Sequence, residues 1–319
     1  MKTISLINKL GKEHKSFFFM FDFNMEYPIV IEEYEFSDYL FYFNTTIKKR
    51  IPKQQSSVKP LFFNKTPVPF SIYEKSFNLI QNHLKKGNSY LVNLTFPASV
   101  ETNCSLFDIF CAADSKYKLL WKDEFCVFSP ETFVQIKNRK IFSYPMKGTI
   151  DAAIPDAEKI ILSDIKEMEE HNTIVDLIRN DLSYHTRNVH VSKFRYIDTI
   201  KTNSKTLLQV SSEITGDLQE NYREHLGTIL FSMLPAGSIS GAPKKKTVEI
   251  IQEAEIYDRG YYTGICGYFD GTDLDSFVMI RFIEKNRNKL IYKSGGGITL
   301  KSNAEDEYRE MIDKIYLPV

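Results

Sequence analysis

Short apolar runs near the start of the chain alternate with polar breaks. The runs are rich in aromatic and β-branched residues, which predicts strands of a small sheet, and they cover residues 17–22, 29–31 and 39–43. The following stretch, 48–68, contains three prolines and a Gln-Gln-Ser-Ser patch, which predicts a connecting loop. We therefore place a boundary within one globule, between a short N-terminal strand region at 1–68 and the main domain at 69–319.

Longer helical patterns follow, separated by further short strands. Apolar residues recur at helical spacing over 71–87, 106–113, 155–184 and 304–315. Strands are predicted at 90–96, 125–128, 132–137, 140–144, 189–196, 207–214, 264–269, 278–284 and 289–292, with a meander over 125–144. Because the strands follow one another as hairpins instead of alternating with helices, the pattern indicates antiparallel sheets and an α+β class.

Composition excludes several classes of protein. The 319 residues include 41 Lys and Arg and 41 Asp and Glu, so the net charge of zero gives no general case for binding nucleic acid or a membrane surface. The first 23 residues lack the apolar core of a signal peptide, and no apolar run reaches 18 residues. The four cysteines show no Cys-x-x-Cys spacing, which indicates reduced thiols. We expect a cytoplasmic protein.

One stretch joins a tight loop to a helix. Glycines and prolines break regular structure before Lys244, and apolar residues at helical spacing follow it. Backbone N–H groups at such a junction, with Ser238, Ser240 and Lys244, can hold an anion. The spacing is not that of a nucleotide phosphate loop, because Ala-Pro separates Gly241 from Lys244. The residues leave two interpretations open, a carboxylate site and a structural turn.

The region around this loop, 234–270, resembles the signature of the chorismate-utilising enzymes. That family comprises the first subunits of anthranilate synthase and aminodeoxychorismate synthase, the isochorismate synthases and the salicylate synthases. The resemblance runs in the family's order through Glu131, Lys147-Gly-Thr, 170–181, 234–270, Arg281 and 295–314. It implies two antiparallel sheets packed face to face and surrounded by helices, with chorismate held between the sheets.

The resemblance also implies a magnesium site made of glutamates. Glu170 lies in the long predicted helix, and Glu307 and Glu310 share a face of the last one. Carboxylates without a nearby Cys or His suit Mg²⁺ completed by water and substrate. By the resemblance, Glu170 and Glu310 bind the metal directly, Glu307 joins through water, and the metal holds the ring carboxylate. Each could instead be a solvated helix glutamate.

The predicted substrate-binding residues are Ser240, Lys244, Tyr262, Arg281, Gly295, Gly296, Gly297 and Lys314. Arg281 is placed inside an apolar strand, where a charge needs a partner. By the resemblance it grips the enolpyruvyl side chain with Tyr262, and a core ion pair is the alternative. The triple glycine either presents N–H groups to a carboxylate or forms a strand-end turn. Lys314 either contacts substrate or makes an ordinary i,i+4 pair with Glu310.

Lys147 and Glu131 discriminate between the activities of the family. Anthranilate, isochorismate and salicylate synthases typically have Ala at the position of Lys147, whereas aminodeoxychorismate synthases have Lys. A desolvated lysine with a lowered pKa is a nucleophile near neutral pH. The implied chemistry is attack of Lys147 on ring C2 while Glu131 protonates the departing C4 hydroxyl. Ammonia then adds at C4 and expels the lysine.

Two leucines bear on which activity of the family the resemblance implies. Leu91 stands where isochorismate and salicylate synthases have a lysine that activates water, so water is not the expected nucleophile. We place Leu208 where many relatives have a histidine. In anthranilate synthases that histidine is associated with the expulsion of pyruvate. That difference weakens the anthranilate interpretation.

The sequence therefore predicts Mg²⁺-dependent amination of chorismate at C4 to 4-amino-4-deoxychorismate, on the route to p-aminobenzoate and folate. No cysteine lies in a Gly-x-Cys-x-Gly nucleophile turn, so ammonia is expected from a separate glutamine amidotransferase subunit or from free ammonium. The alternatives are an anthranilate synthase component I, which aminates C2 and releases pyruvate, and a non-catalytic chorismate-binding protein.

Overall fold

The computed structural model describes residues 2–53, 56–201 and 206–319. The α-helices are α1 (Lys2–Lys12), α2 (Phe70–Lys85), α3 (Leu106–Ala112), α4 (Ala157–Ser163), α5 (Ile165–Ser183), α6 (Leu226–Ser232), α7 (Lys244–Ala254) and α8 (Ala304–Asp313). Short 3-10 helices cover Glu33–Asp38, Tyr222–His225 and Gly237–Ile239.

The strands, in chain order, are β1 (Phe17–Phe21), β2 (Ile29–Glu32), β3 (Phe41–Asn44), β4 (Lys49–Arg50), β5 (Phe63–Thr66), β6 (Leu91–Thr102), β7 (Tyr117–Trp121), β8 (Phe125–Ser129) and β9 (Thr132–Lys137). They continue with β10 (Lys140–Ser143), β11 (Met146–Asp151), β12 (Thr186–Lys201), β13 (Thr206–Leu218), β14 (Gly241–Ala242), β15 (Ile265–Phe269), β16 (Leu274–Val278), β17 (Phe282–Asn286) and β18 (Lys289–Ile298).

These strands form two antiparallel sheets. The first has the order β11-β13-β10-β9-β16-β15-β1-β2, and β12 also pairs with β13. The second has the order β14-β6-β18-β17-β8-β7-β3-β4, and β5 also pairs with β6. The predicted α+β class with two antiparallel sheets and surrounding helices is therefore confirmed.

Strand β1 shows how the sheets pack, because all of its residues are buried. Its odd-numbered phenylalanines join a core that includes residues of α1, α6 and α7. Its even-numbered residues join a second core with aromatic side chains of the other sheet, among them Phe41, Phe43 and Trp121. The strand is an unbroken apolar run because helices cover one face and the opposite sheet covers the other.

Two of the connections between the sheets run side by side. One leads from β8 through Glu131 to β9, and the other leads from β16 through 279–281 to β17. Their backbones lie side by side, since the Val278 amide donates to the Glu131 carbonyl at 3.1 Å and the Phe128 amide donates to the Arg281 carbonyl at 3.1 Å. The two sheets therefore diverge where Glu131 and Arg281 lie.

These connections correct two predictions. The 125–144 meander is wrong, because β8 belongs to the second sheet and β9 and β10 belong to the first. The single strand predicted over 278–284 is wrong as well, because its two ends belong to different sheets. Apolar runs identify strands, but the sheet that each strand joins depends on pairing with residues distant in sequence.

Three further features of the secondary structure differ from the prediction. The predicted 155–184 helix is broken at Asp164, whose carboxylate caps α5 by accepting from the Glu167 amide at 3.0 Å. Helix α1 is not predicted by the pattern. The stretch 48–68 contains β4 and β5 in addition to loop, and its Gln54 and Gln55 lie outside the described residues.

The N-terminal strands pair within both sheets, β1 with β15 and β3 with β7. The domain boundary at residue 68 stays a prediction. No helix in residues 2–53, 56–201 and 206–319 has the length and apolar character needed to cross a membrane.

Candidate active site

Glu131, the predicted acid, is half-buried on the connection between β8 and β9. Its carboxylate accepts a hydrogen bond from the hydroxyl of Ser238, in the 3-10 helix before β14. Burial raises the pKa of the Glu131 carboxyl above its ordinary value. The Ser238 hydroxyl opposes this shift, as do three cations nearby, Lys147, Arg281 and Lys314. A raised pKa keeps a carboxyl protonated closer to neutral pH, as a general acid requires.

Lys147 reaches the same region from β11. The pairing of β11 with β13 is irregular between Lys147 and Thr149, where Gly148 has a φ of +77°. The Lys147 amine donates to Glu170 Oε2 at 3.0 Å, and the Lys147 side chain is 21% exposed. Glu170 itself is buried on α5. The two residues therefore form an ion pair that is largely removed from water.

The pKa of Lys147 differs from the value expected from the sequence. Burial lowers the pKa of the amine, but the attraction of Glu170, with help from Glu167 and Glu310, outweighs burial and raises the net pKa above its ordinary value. The expected lowering is therefore wrong, because the ion pair with Glu170 compensates the desolvation. Lys147 becomes a nucleophile only after it loses a proton.

The triple glycine lies within β18, where it pairs with β6, and comprises Gly295, Gly296 and Gly297. It is part of a strand and not a strand-end turn. A Cβ at Gly297 would lie 3.3 Å from the Lys147 amine. A Cβ at Gly296 would lie 3.5 Å from the Lys314 amine and 3.6 Å from Glu307 Oε2. The absent side chains leave space beside these charged groups.

Helix α8 carries the other predicted acids. Glu307 is buried, whereas the Glu310 side chain is 49% exposed. Lys314 follows the helix directly, and its amine lies 2.6 Å from Glu310 Oε1 and 3.1 Å from the Gly295 carbonyl oxygen. Lys314 therefore makes the ordinary i,i+4 pair and also borders the glycine strand.

The acids of this region offer oxygen ligands of the kind that Mg²⁺ requires. Glu170 Oε1 is buried without a hydrogen-bond partner among the described residues. A cation would relieve such an oxygen, and carboxylates are the ligands that Mg²⁺ prefers. Across the described ranges, however, no three Asp, Glu, His or Cys side chains are close enough together to hold a metal. The donors fit Mg²⁺ in kind, while Glu170 and Glu310 each have a lysine amine as partner.

A fourth glutamate, Glu167, belongs to this region although it is absent from the predicted ligands. It lies one turn before Glu170 on α5, its charge acts on Lys147, and its Oε2 would lie 3.4 Å from a Cβ at Gly148. The signal was available, because residues 167 and 170 repeat the three-residue spacing of 307 and 310 and so share a helix face. We add Glu167 to the candidate acids.

Arg281 lies on the connection between β16 and β17, with a left-handed φ of +55°. It is therefore not inside an apolar strand as predicted. The guanidinium is half-buried and makes no salt bridge within the described part of the chain, so the structure does not show the alternative core ion pair. Its Nε donates to the Tyr316 hydroxyl at 3.4 Å. Tyr262 is buried, and burial raises the pKa of its hydroxyl. The positive charge of Arg281 is near enough to oppose this shift.

Ser240 and Lys244 make contacts within the protein. The buried Ser240 hydroxyl donates to the Ala236 carbonyl at 2.8 Å. The Lys244 amine lies 2.7 Å from Asp181 Oδ2 and 2.8 Å from the Met233 carbonyl oxygen. These contacts fasten the loop before α7 to α5, which is the structural-turn interpretation. A substrate-binding role for either residue stays a prediction.

Strand β6 lines the site next to Gly297. Leu91 Cδ1 would lie 3.0 Å from a Cβ at Gly297, so Leu91 is an apolar wall near Lys147. Asn93 pairs directly with Gly297, and its Oδ1 is buried without a partner among the described side chains and backbone. Asn93 is therefore a further candidate site residue. Its place follows from that of Leu91, because residues two apart on a strand share a face.

Leu208 lies on β13, and its assignment to the family's histidine position stays a prediction. Leu208 lines a surface cleft with Ile154 and Leu162. The next residue, Gln209, points to the opposite face of β13, and its Nε2 donates to Thr149 Oγ1 at 3.4 Å. Gln209, and not Leu208, is therefore the side chain beside the Lys147-Gly-Thr motif.

Comparison with known proteins agrees with this architecture. The chain matches the family model described as chorismate binding enzyme over residues 12–318. An uncharacterized PabA-like protein of Haemophilus influenzae is 51% identical over 316 residues, which cover 99% of this chain and 96% of that protein. Aminodeoxychorismate synthase component 1 of Salmonella typhimurium is 32% identical over 260 residues, covering 76% of this chain and 56% of that protein.

The fold is shared with a solved structure. MenF, the menaquinone-specific isochorismate synthase of Escherichia coli, superposes with a TM-score of 0.71 at 14% identity, covering 98% of this chain and 79% of that one. The two antiparallel sheets and their surrounding helices therefore have the fold of that structure. The chain belongs to the family of chorismate-binding enzymes.

Proposed function

We propose that this protein aminates chorismate at C4 with ammonia and so forms 4-amino-4-deoxychorismate, as component I of an aminodeoxychorismate synthase. The observation that carries the proposal is Lys147, an amine in the site paired with Glu170 and close enough to Glu131 for its charge to act there. The names of the Salmonella typhimurium and Haemophilus influenzae relatives are compatible with this assignment.

The two halves of the reaction use the same pair of residues. Glu131 gives its proton to the C4 hydroxyl, which leaves as water, while the neutral Lys147 amine bonds to ring C2 and the ring double bond shifts. Ammonia then bonds to C4, the double bond shifts back, and the bond between C2 and Lys147 breaks. The Glu131 carboxylate takes the proton that ammonia loses. The net change replaces hydroxyl by amine and releases water.

The remaining groups would hold the substrate's two carboxylates. Arg281 has no acid partner in the described structure, so its guanidinium is available to the enolpyruvyl carboxylate, with Tyr262 beside it. Lys314 and the glycine strand border the space for the ring. Glu170 and Glu310 would bind Mg²⁺ directly, with Glu307 through water. When bound, the ion would hold the ring carboxylate and offset the negative charge that keeps Lys147 protonated.

Replacing either direct ligand should weaken metal binding and leave the fold intact. We expect Glu170→Gln and Glu310→Gln each to lose about tenfold or more in Mg²⁺ affinity and turnover, a loss near 1.4 kcal/mol. Calorimetric Mg²⁺ titration and rates at several Mg²⁺ concentrations measure this. Glu305→Gln on the exposed side of α8 is the matched control. Wild-type Mg²⁺ dependence in both variants would remove the metal assignment.

The nitrogen donor provides a second prediction. No glutaminase motif occurs in the sequence, so the purified chain should use ammonium at alkaline pH, where free ammonia is available, and should not use glutamine. A separate glutamine amidotransferase subunit should restore glutamine-dependent turnover. Glutamine use by the pure polypeptide would contradict this prediction.

Product analysis tests the proposed function itself. Chorismate, ammonium and Mg²⁺ are incubated with the protein, and the products are separated and identified by mass spectrometry. We expect 4-amino-4-deoxychorismate without pyruvate. Anthranilate with pyruvate would assign the protein to anthranilate synthase component I. Chorismate binding without turnover would leave a non-catalytic binding protein.

A further inference from the structure

The segment after α8, residues 314–319, is anchored on both sides of Tyr316. Ile315 is buried in a core with residues of α3, and Leu317 packs against the same core. The Lys65 amine donates to the Ile315 carbonyl at 3.3 Å, and the Asp114 amide donates to the Pro318 carbonyl at 2.7 Å. The position of Tyr316 is therefore set by contacts that do not involve its own side chain.

The Tyr316 side chain reaches Arg281. Its hydroxyl accepts from Arg281 Nε at 3.4 Å, and its ring centroid lies 5.4 Å from the guanidinium carbon. Tyr316 is 43% exposed, so it forms part of the border of the site and not of the core. Arg281 thus has a ring and a hydroxyl as neighbours in place of an acid.

We propose that Tyr316 is a positioning residue for Arg281. The hydroxyl holds Nε and the ring stacks near the guanidinium, which orients the other N–H groups of the fork toward a carboxylate. An arginine that is already ordered loses less side-chain entropy when it binds an anion. The inference rests on the proposed function, in which that anion is the enolpyruvyl carboxylate of chorismate.

Steady-state kinetics with saturating ammonium and Mg²⁺ test this role. Tyr316→Phe keeps the ring and loses the hydroxyl, and should raise KM for chorismate about threefold to tenfold with kcat within about twofold. Tyr316→Ala loses both and should raise KM further. Tyr222→Phe is the matched control, because it removes a tyrosine hydroxyl that donates to the Thr272 carbonyl elsewhere, and its KM should not change.

A double-mutant cycle separates positioning from general structure. If Tyr316 acts through Arg281, Tyr316→Phe should change KM by less than about twofold in an Arg281→Ala background. Equal effects in both backgrounds, or a wild-type KM in both Tyr316 variants, would overturn the proposal. The same assay on wild-type protein tests the proposed function separately. If the proposed function is wrong, the unaltered protein will not turn over chorismate.

Discussion

Lys147→Ala is expected to lose about a hundredfold or more in rate, at least about 2.7 kcal/mol of barrier, or to change the position of amination. Covalent catalysis divides one difficult displacement into two easier ones, so removing the amine removes a whole step. The alternative outcome arises from the resemblance, which implies that anthranilate synthases have Ala at this position and aminate C2. Slow C4 amination or a switch to an anthranilate-type product would each support the role of Lys147.

The covalent link itself can be observed. Wild-type protein incubated with chorismate and Mg²⁺ in the absence of ammonia should gain the mass of chorismate minus water, on the peptide that contains Lys147. Lys285→Ala, which removes an exposed lysine paired with Asp123, is the control for both mass and rate. Full activity with unchanged C4 product in Lys147→Ala, together with no adduct on wild type, would exclude the covalent mechanism.

Glu131→Gln should lower kcat by about a hundredfold to ten-thousandfold, the usual range for loss of a general acid. Glutamine keeps the shape of the side chain and can still accept the Ser238 hydrogen bond, but it has no acidic proton to give to the C4 hydroxyl. Rapid-quench measurement of water loss from chorismate compares the two proteins. A kcat within about tenfold of wild type would remove Glu131 as the acid.

The pH dependence of the same step gives an independent measurement. The acid works in its protonated form, so in the Mg²⁺-saturated protein, once the Lys147 amine is neutral, the rate should fall as pH rises through the pKa of Glu131. Burial moves that fall above the range of an ordinary glutamate. Ser238→Ala removes a hydrogen bond that lowers this pKa and should move the fall to higher pH. Ser232→Ala, whose hydroxyl donates within α6, should not. An unchanged profile in Ser238→Ala would dissociate the fall in rate from Glu131.

Local features of this protein were readable from the sequence. The strand at Phe17–Phe21, the helix that ends before Gly87 and the last helix follow from residue type and periodicity, which act over a few neighbours. The pairs 307/310 and 167/170 also follow from helical spacing, although only the first pair was used. The order of the motifs sufficed to identify the family because each motif is itself a local pattern.

Pairing between distant segments was not readable in this way. An apolar run at 278–284 has the period of one strand, yet its halves join different sheets because Val278 pairs with β15 and Phe282 pairs with β8 and β18. That division places Arg281 at the junction of the sheets instead of inside one. The contact of Tyr316 with Arg281 likewise depends on where the segment after α8 is anchored.

The charge state of the site was decided only by the tertiary structure. Residue type alone suggested that burial would lower the pKa of Lys147, but α5 brings Glu170 to 3.0 Å from the amine and reverses the direction. At Glu131 burial is the stronger influence. It outweighs the Ser238 hydrogen bond and the nearby cations, so the pKa of the carboxyl is raised and its neutral form is favoured. The sequence by itself determined which groups could react, whereas folding determined their protonation, since electrostatic energies depend on distance and on exclusion of water.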